Sequence, residues 1–234
     1  MMLRFILSCC LLMFSGLFFR DGIVVRQVPL PAKVSEADAC RGLYQSMELE
    51  GVVNWQAFRQ AVTGYYRIEG KRREVLTLID FSLPSTAKRL FVFDMAQHRL
   101  LYSSVVAHGK NSGENYATSF SNEYGSYKSS LGFYLTASTY QGRNGYSLIL
   151  DGLEKGINDR ARERAIVVHG AAYANPSVAS RGGRLGRSFG CPALPQELSR
   201  PIIDAIKGGS VMYIYADKPE YLAQSTVLKE GTSL

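Results

Sequence analysis

A cysteine stands behind a glycine and ahead of a proline in the run Gly186-Arg187-Ser188-Phe189-Gly190-Cys191-Pro192-Ala193-Leu194. Upstream, Ala165-Ile166-Val167-Val168 reads as a buried strand that ends at His169-Gly170. A thiol needs a base to become a nucleophile at neutral pH, and imidazole is the usual one. A glycine before the nucleophile lets the backbone turn tightly and expose amide groups, which can donate to a developing oxyanion. These types and spacings point to acyl transfer through a thiol, with Cys191 as nucleophile, His169 as base and the Gly190 and Cys191 amides as oxyanion donors. Spacing alone leaves two plainer readings open: a buried structural cysteine and a capped loop histidine.

Taken together, His169-Gly170 and Ser188-Phe189-Gly190-Cys191 resemble the signature of the YkuD-type L,D-transpeptidases, which are bacterial cell-wall enzymes. The run Gly186-Arg187-Ser188 through Cys191-Pro192 is similar to the divergent branch known as the murein L,D-transpeptidase catalytic domain family. The similarity runs from about Leu76 to Tyr215 and takes in Phe81 to Ser85, Val106 to Gly113, Phe120 to Asn122, Ser129 to Gly132 and Ile166 to Ala171. It implies a mostly β, YkuD-type β-sandwich with a small helical lead-in and one helix after the nucleophile. It also implies a thioester at Cys191 and a peptidoglycan stem tetrapeptide as donor, cut between the diamino acid and D-alanine. The backbone carbonyl that orients the base in the family maps onto Gly170. Two positions depart from the better-studied branch, which has a histidine where this chain has Phe189 and a carboxylate-binding arginine where it has Ala193.

With Ala193 uncharged, Arg187 and Arg184 are the expected carboxylate binders, because a guanidinium grips a carboxylate with two parallel donors. Ser188 is expected to buttress the turn or touch substrate. Tyr173 is expected to wall the pocket. His108-Gly109 is a second strand-end pair, so His108 is an alternative base, a residue lining the cleft or a hydrogen-bonded loop residue.

The rest of the chain must position these groups. Its 234 residues suit one domain with appendages, and 46% hydrophobic with 20% charged residues is ordinary for a globular protein. Residues 1–21 hold a short basic start and an apolar run from Phe5 to Phe19, which reads as a signal peptide, with an uncleaved membrane anchor as the alternative. The expected place is therefore outside the cytoplasm, in the periplasm or cell envelope. Residues 22–34 read as a linker, 35–73 as the helical lead-in with Asn54 capping its second helix, 74–218 as the catalytic domain and 219–234 as a loose tail.

Within the domain, hairpins are expected around Met95–His98 and Asn144-Gly145. A short helix capped by Asn158-Asp159 is expected to run to Arg164, and another from Pro195 to Lys207. Four cysteines, two of them in the leader, exclude a disulfide scaffold. Cysteine and histidines without ligand spacing argue against a zinc site, and no cofactor is expected. The net charge of +7 comes without a nucleic-acid motif, so its expected partner is the anionic cell wall, the alternative being a generic solvated surface. The chain is expected to act as a monomer. A rival reading has water resolve the same thioester, which makes an L,D-carboxypeptidase; a second has an inactive cell-wall binding protein.

Overall fold

The computed structural model describes residues 35–229. The leader read over 1–21 and the linker read over 22–34 lie outside the described residues, as does the chain beyond Lys229. Among the described residues no helix is long and apolar enough to cross a membrane.

Two helices open the domain. Ser35 caps α1 (Glu36–Ser46) by accepting from the Asp38 amide at 3.1 Å, and Asn54 caps α2 (Trp55–Arg67) by accepting from the Ala57 amide at 3.1 Å. The apolar face of α2 carries Ala57, Phe58, Ala61, Val62 and Tyr65 into the core. The strands follow: β1 (Val75–Asp80), β2 (Leu90–Asp94), β3 (Arg99–Ser104), β4 (Gly132–Gly142), β5 (Gly145–Gly152), β6 (Val167–Gly170), β7 (Ala193–Leu194) and β8 (Val211–Tyr215). Helices α3 (Pro176–Gly182), α4 (Gln196–Ile206) and α5 (Pro219–Gln224) are inserted late in the chain.

The strands form one sheet in the order β3-β2-β1-β8-β4-β5-β6-β7. The central pair, β1 and β8, runs parallel and is buried along its whole length. Buried strands of this kind read as unbroken apolar runs, as Val211-Met212-Tyr213-Ile214-Tyr215 does. Past β3 the chain runs on to Ala107, which exchanges two backbone hydrogen bonds with Ala193, at 2.8 and 3.2 Å. The last strand thereby meets the extension of β3. The expected mostly β fold is thus a single sheet curled until its ends touch, with α2 and α4 covering part of it.

Two expectations are corrected. The segment after Asn158 forms turns, not a helix. The Asn158 side chain is spent instead on the sheet, donating to the Leu131 and Phe133 carbonyls at 2.9 and 3.0 Å and accepting from the Glu154 amide at 2.9 Å. Residues 219–229 are not a loose tail. Tyr221, Ser225 and Val227 are buried, and the hydroxyls of Tyr221 and Ser225 donate to the two carboxylate oxygens of Glu154 at 2.9 and 2.5 Å.

Candidate active site

The curl of the sheet brings the two chemistry-bearing segments to adjacent strands. His169 lies on β6 opposite Ala193 of β7, and its amide donates to the Pro192 carbonyl at 3.4 Å. Cys191 is the residue before that proline. Both side chains are almost wholly buried. The His169 Nδ1 lies 3.1 Å from the Gly170 carbonyl. A carbonyl only accepts, so this contact places the proton on Nδ1 and leaves Nε2 as the acceptor. Tyr173, in the 3-10 turn Ala172–Ala174, sets its ring edge-on to the imidazole at 6.5 Å between centroids. Its hydroxyl is pushed up to about 12, first by burial and then by the Cys191 thiol nearby. Tyr173 therefore packs against the imidazole with Cys191 nearby.

Burial pushes the Cys191 thiol up. The Val167 amide, the Arg164 guanidinium and its own amide pull the other way without overcoming it. The Sγ donates to the Ala165 carbonyl at 3.6 Å. Burial also pushes the His169 imidazole down, against the Gly170 carbonyl that raises it. The two shifts together favour a neutral thiol and a neutral imidazole over a resting ion pair.

The turn that carries the thiol is fixed from below. Ser188 Oγ donates to the Cys191 carbonyl at 2.6 Å and accepts from the Gly190 amide at 3.0 Å. Ser188 thus braces the turn through both of these bonds. The same bond corrects the oxyanion expectation, because it takes up the Gly190 N–H and leaves the Cys191 amide as the donor of the expected pair. Gly190 sits at φ +128, where a Cβ would come 2.8 Å from the Lys128 carbonyl, so this turn closes only with glycine. Ser129 ties it further, donating to the Gly190 carbonyl and accepting from the Gly109 amide, both at 3.0 Å.

Three other residues singled out from the sequence are engaged by groups of the chain itself. His108 is hydrogen-bonded through both ring nitrogens, the last of its three readings. It is buried, its Nδ1 faces Arg89 Nη2 at 2.8 Å and its Nε2 faces the Gly113 carbonyl at 3.3 Å. Burial, and then the Arg89 charge, push it down to about 4. Arg184 and Arg187 already hold a carboxylate of this chain. Glu114 pairs with Arg184 Nε at 2.9 Å and Arg187 Nη1 at 2.6 Å, and Arg187 also donates to the Lys110 and Gly113 carbonyls. Each guanidinium thus shares its charge with Glu114, while Arg187 Nε and Nη2 and Arg184 Nη2 make no hydrogen bond among the described residues.

Sequence reasoning assigned no part to Arg164. It half-buries itself near Cys191 and donates to the Lys128 and Ser121 carbonyls at 2.7 and 2.8 Å and to Ser130 Oγ at 2.6 Å. It fastens the 121–130 loop under the thiol. One arginine in a polar run carries no signal that would single it out. Among the described residues no cluster of three or more metal-ligating side chains occurs, and Cys40 and Cys191 are both free.

A buried imidazole on β6 and a buried thiol two residues ahead of its neighbour β7 form a site suited to acyl transfer. The chain belongs to the L,D-transpeptidase catalytic domain family, whose model matches residues 49–215. No curated protein matches it. Among solved structures it is similar to an L,D-transpeptidase from Mycobacterium smegmatis, at 16% identity and a TM-score of 0.38 over 61% of this chain and 59% of that one. It is also similar to L,D-transpeptidase 3 from Mycobacterium tuberculosis, at 14% identity and a TM-score of 0.37 over 61% of each chain. A third is the L,D-transpeptidase from Xylanimonas cellulosilytica, at 12% identity and a TM-score of 0.35 over 61% of each chain. The chain thus spans about three fifths of the length of these proteins.

Proposed function

We propose that this protein is a peptidoglycan-modifying cysteine L,D-transpeptidase working in the cell envelope after export. The observation that supports it best is the His169 imidazole, held through Nδ1 by the Gly170 carbonyl one strand away from the thiol. A backbone carbonyl there does what a carboxylate does in other triads: it fixes the tautomer and stabilises the imidazolium that forms.

In the proposed cycle His169 Nε2 takes the Cys191 proton as the sulfur attacks the carbonyl carbon between the diamino acid and the terminal D-alanine. The Cys191 amide faces the oxyanion. The C–N bond breaks, the imidazolium returns its proton to the leaving D-alanine amine, and a thioester remains on Sγ. An amine of a second stem attacks the thioester, passes its proton to His169 and releases the thiol with a 3-3 crosslink.

The test is mass spectrometry of disaccharide-tetrapeptide incubated with the full chain or with Cys191→Ala. The expected product is a 3-3 linked dimer that Cys191→Ala does not make, with turnover down by a thousandfold or more, on the order of what loss of a nucleophile costs. A tripeptide without dimer would replace the reading by an L,D-carboxypeptidase. No turnover and no acyl adduct on Cys191 would replace it by an inactive wall-binding protein.

A further inference from the structure

Lys110 follows the buried His108-Gly109 pair, and its backbone amide donates to the Ser188 carbonyl at 2.8 Å. The main chain therefore holds it against the nucleophile turn. Its ammonium lies 4.3 Å from the Tyr127 ring centroid and 4.7 Å from that of Phe189, and the two rings are 4.9 Å apart. Tyr127 is 41% and Phe189 66% exposed, so the paired rings present an open apolar face beside this turn. Phe189 stands two residues before Cys191. Tyr127 is held at φ 53, a backbone conformation that costs a side chain of this size energy.

The other cations around this turn are spoken for. Arg164 is spent on carbonyls and hydroxyls of the 121–130 loop, Lys128 Nζ on Ser119 Oγ at 2.8 Å, and Arg184 and Arg187 on Glu114. Arg89 is fully buried against the Val106 and Leu83 carbonyls. Among the described residues the Lys110 ammonium has neither a carboxylate nor a hydrogen-bond partner. Aromatic faces hold a cation in place without neutralising it, so its charge stays available to an anion arriving beside the thiol.

We infer that Lys110, cradled by Tyr127 and Phe189, binds a free carboxylate of the stem peptide and so sets the substrate preference of this site. The inference rests on the transpeptidase reading. Two side chains, Phe189 and Lys110, then do together what no charge at Ala193 does: one is an apolar wall for the peptide, the other a counter-ion for its carboxylate.

The experiment is steady-state kinetics of the full chain on two disaccharide-tetrapeptides that differ at one group, the side-chain carboxylate of the diamino acid, free in one and amidated in the other. Wild type is expected to favour the free acid by roughly tenfold in kcat/KM, mostly through KM, the size of one charge-assisted hydrogen bond. Lys110→Gln is expected to lose that preference, and Lys110→Arg to keep most of it. Lys71→Gln removes a lysine that sits over the Tyr65 ring at the far end of α2, and is expected to leave the preference intact. A Lys110→Gln enzyme that turns over both probes with the wild-type preference overturns the inference alone, as does a wild type with no preference. If wild type turns over neither probe, the transpeptidase reading fails and takes this one with it.

Discussion

Two histidines followed by glycine, His108 and His169, look alike in the sequence, and only their surroundings separate them. His169 presents one nitrogen to a carbonyl and keeps the other free. His108 is gripped on both nitrogens, one of them by the guanidinium of Arg89. Its value of about 4 against an ordinary 6.5 has a thermodynamic consequence. The unfolded chain binds the proton that the fold refuses, so stability is full above about pH 6.5 and falls as pH drops toward 4. The loss over that window is on the order of 3 kcal/mol. His169, also lowered, adds in the same direction, while Asp80, whose carboxyl burial raises, opposes at the acid end. Urea midpoints measured between pH 7 and 4.5 should fall, and His108→Gln should flatten the slope. An unchanged slope in that variant would assign the effect elsewhere. What makes one histidine structural is a charge from β2's start and a carbonyl from the 109–113 loop, neither adjacent to it in sequence.

Among the elements, those with local signals were legible. Asn54 caps α2 because its side chain accepts one of the orphan amides of the first turn, and that chemistry depends on its immediate neighbours alone. The β4–β5 hairpin is fixed by Gly145 at φ +74 after Asn144. The Asn158 region and the last helix were not legible, because Asn158 gives its side chain to the distant Leu131 and Phe133 carbonyls and the last helix is held by one buried carboxylate. Glu154 is fully buried and accepts from the Phe133 amide at 2.9 Å as well as from the Tyr221 and Ser225 hydroxyls. Its donors come from β4 and from residues 221–225, so no window of sequence contains the interaction. Glu154→Ala should strand three buried donors and cost roughly 3 kcal/mol or more. Limited proteolysis should then cut within 219–229, where wild type resists. A variant that stays resistant would mean that Tyr221 and Val227 hold the segment by packing alone.

At the scale of the molecule, the helical lead-in and the sheet share one core. Phe58 of α2 meets Phe93 of β2 edge-on at 5.4 Å, and Gly64 lies so close to the Phe133 ring that no Cβ would fit. Cys191 sits elsewhere, two residues before the seam where Ala193 meets Ala107. That seam joins the first half of the domain to the last, and pairings of such long sequence separation are slow to form. In a hydrogen-exchange pulse during refolding, the amides of Ala107 and Ala193 should gain protection after those of the β1–β2 hairpin; simultaneous protection would place the seam in the folding nucleus. Closing last would make the fold its own timer. An unfinished chain would carry Cys191 as an ordinary, unassisted cysteine, and the assembled site would come into being only when the whole sheet has closed around it.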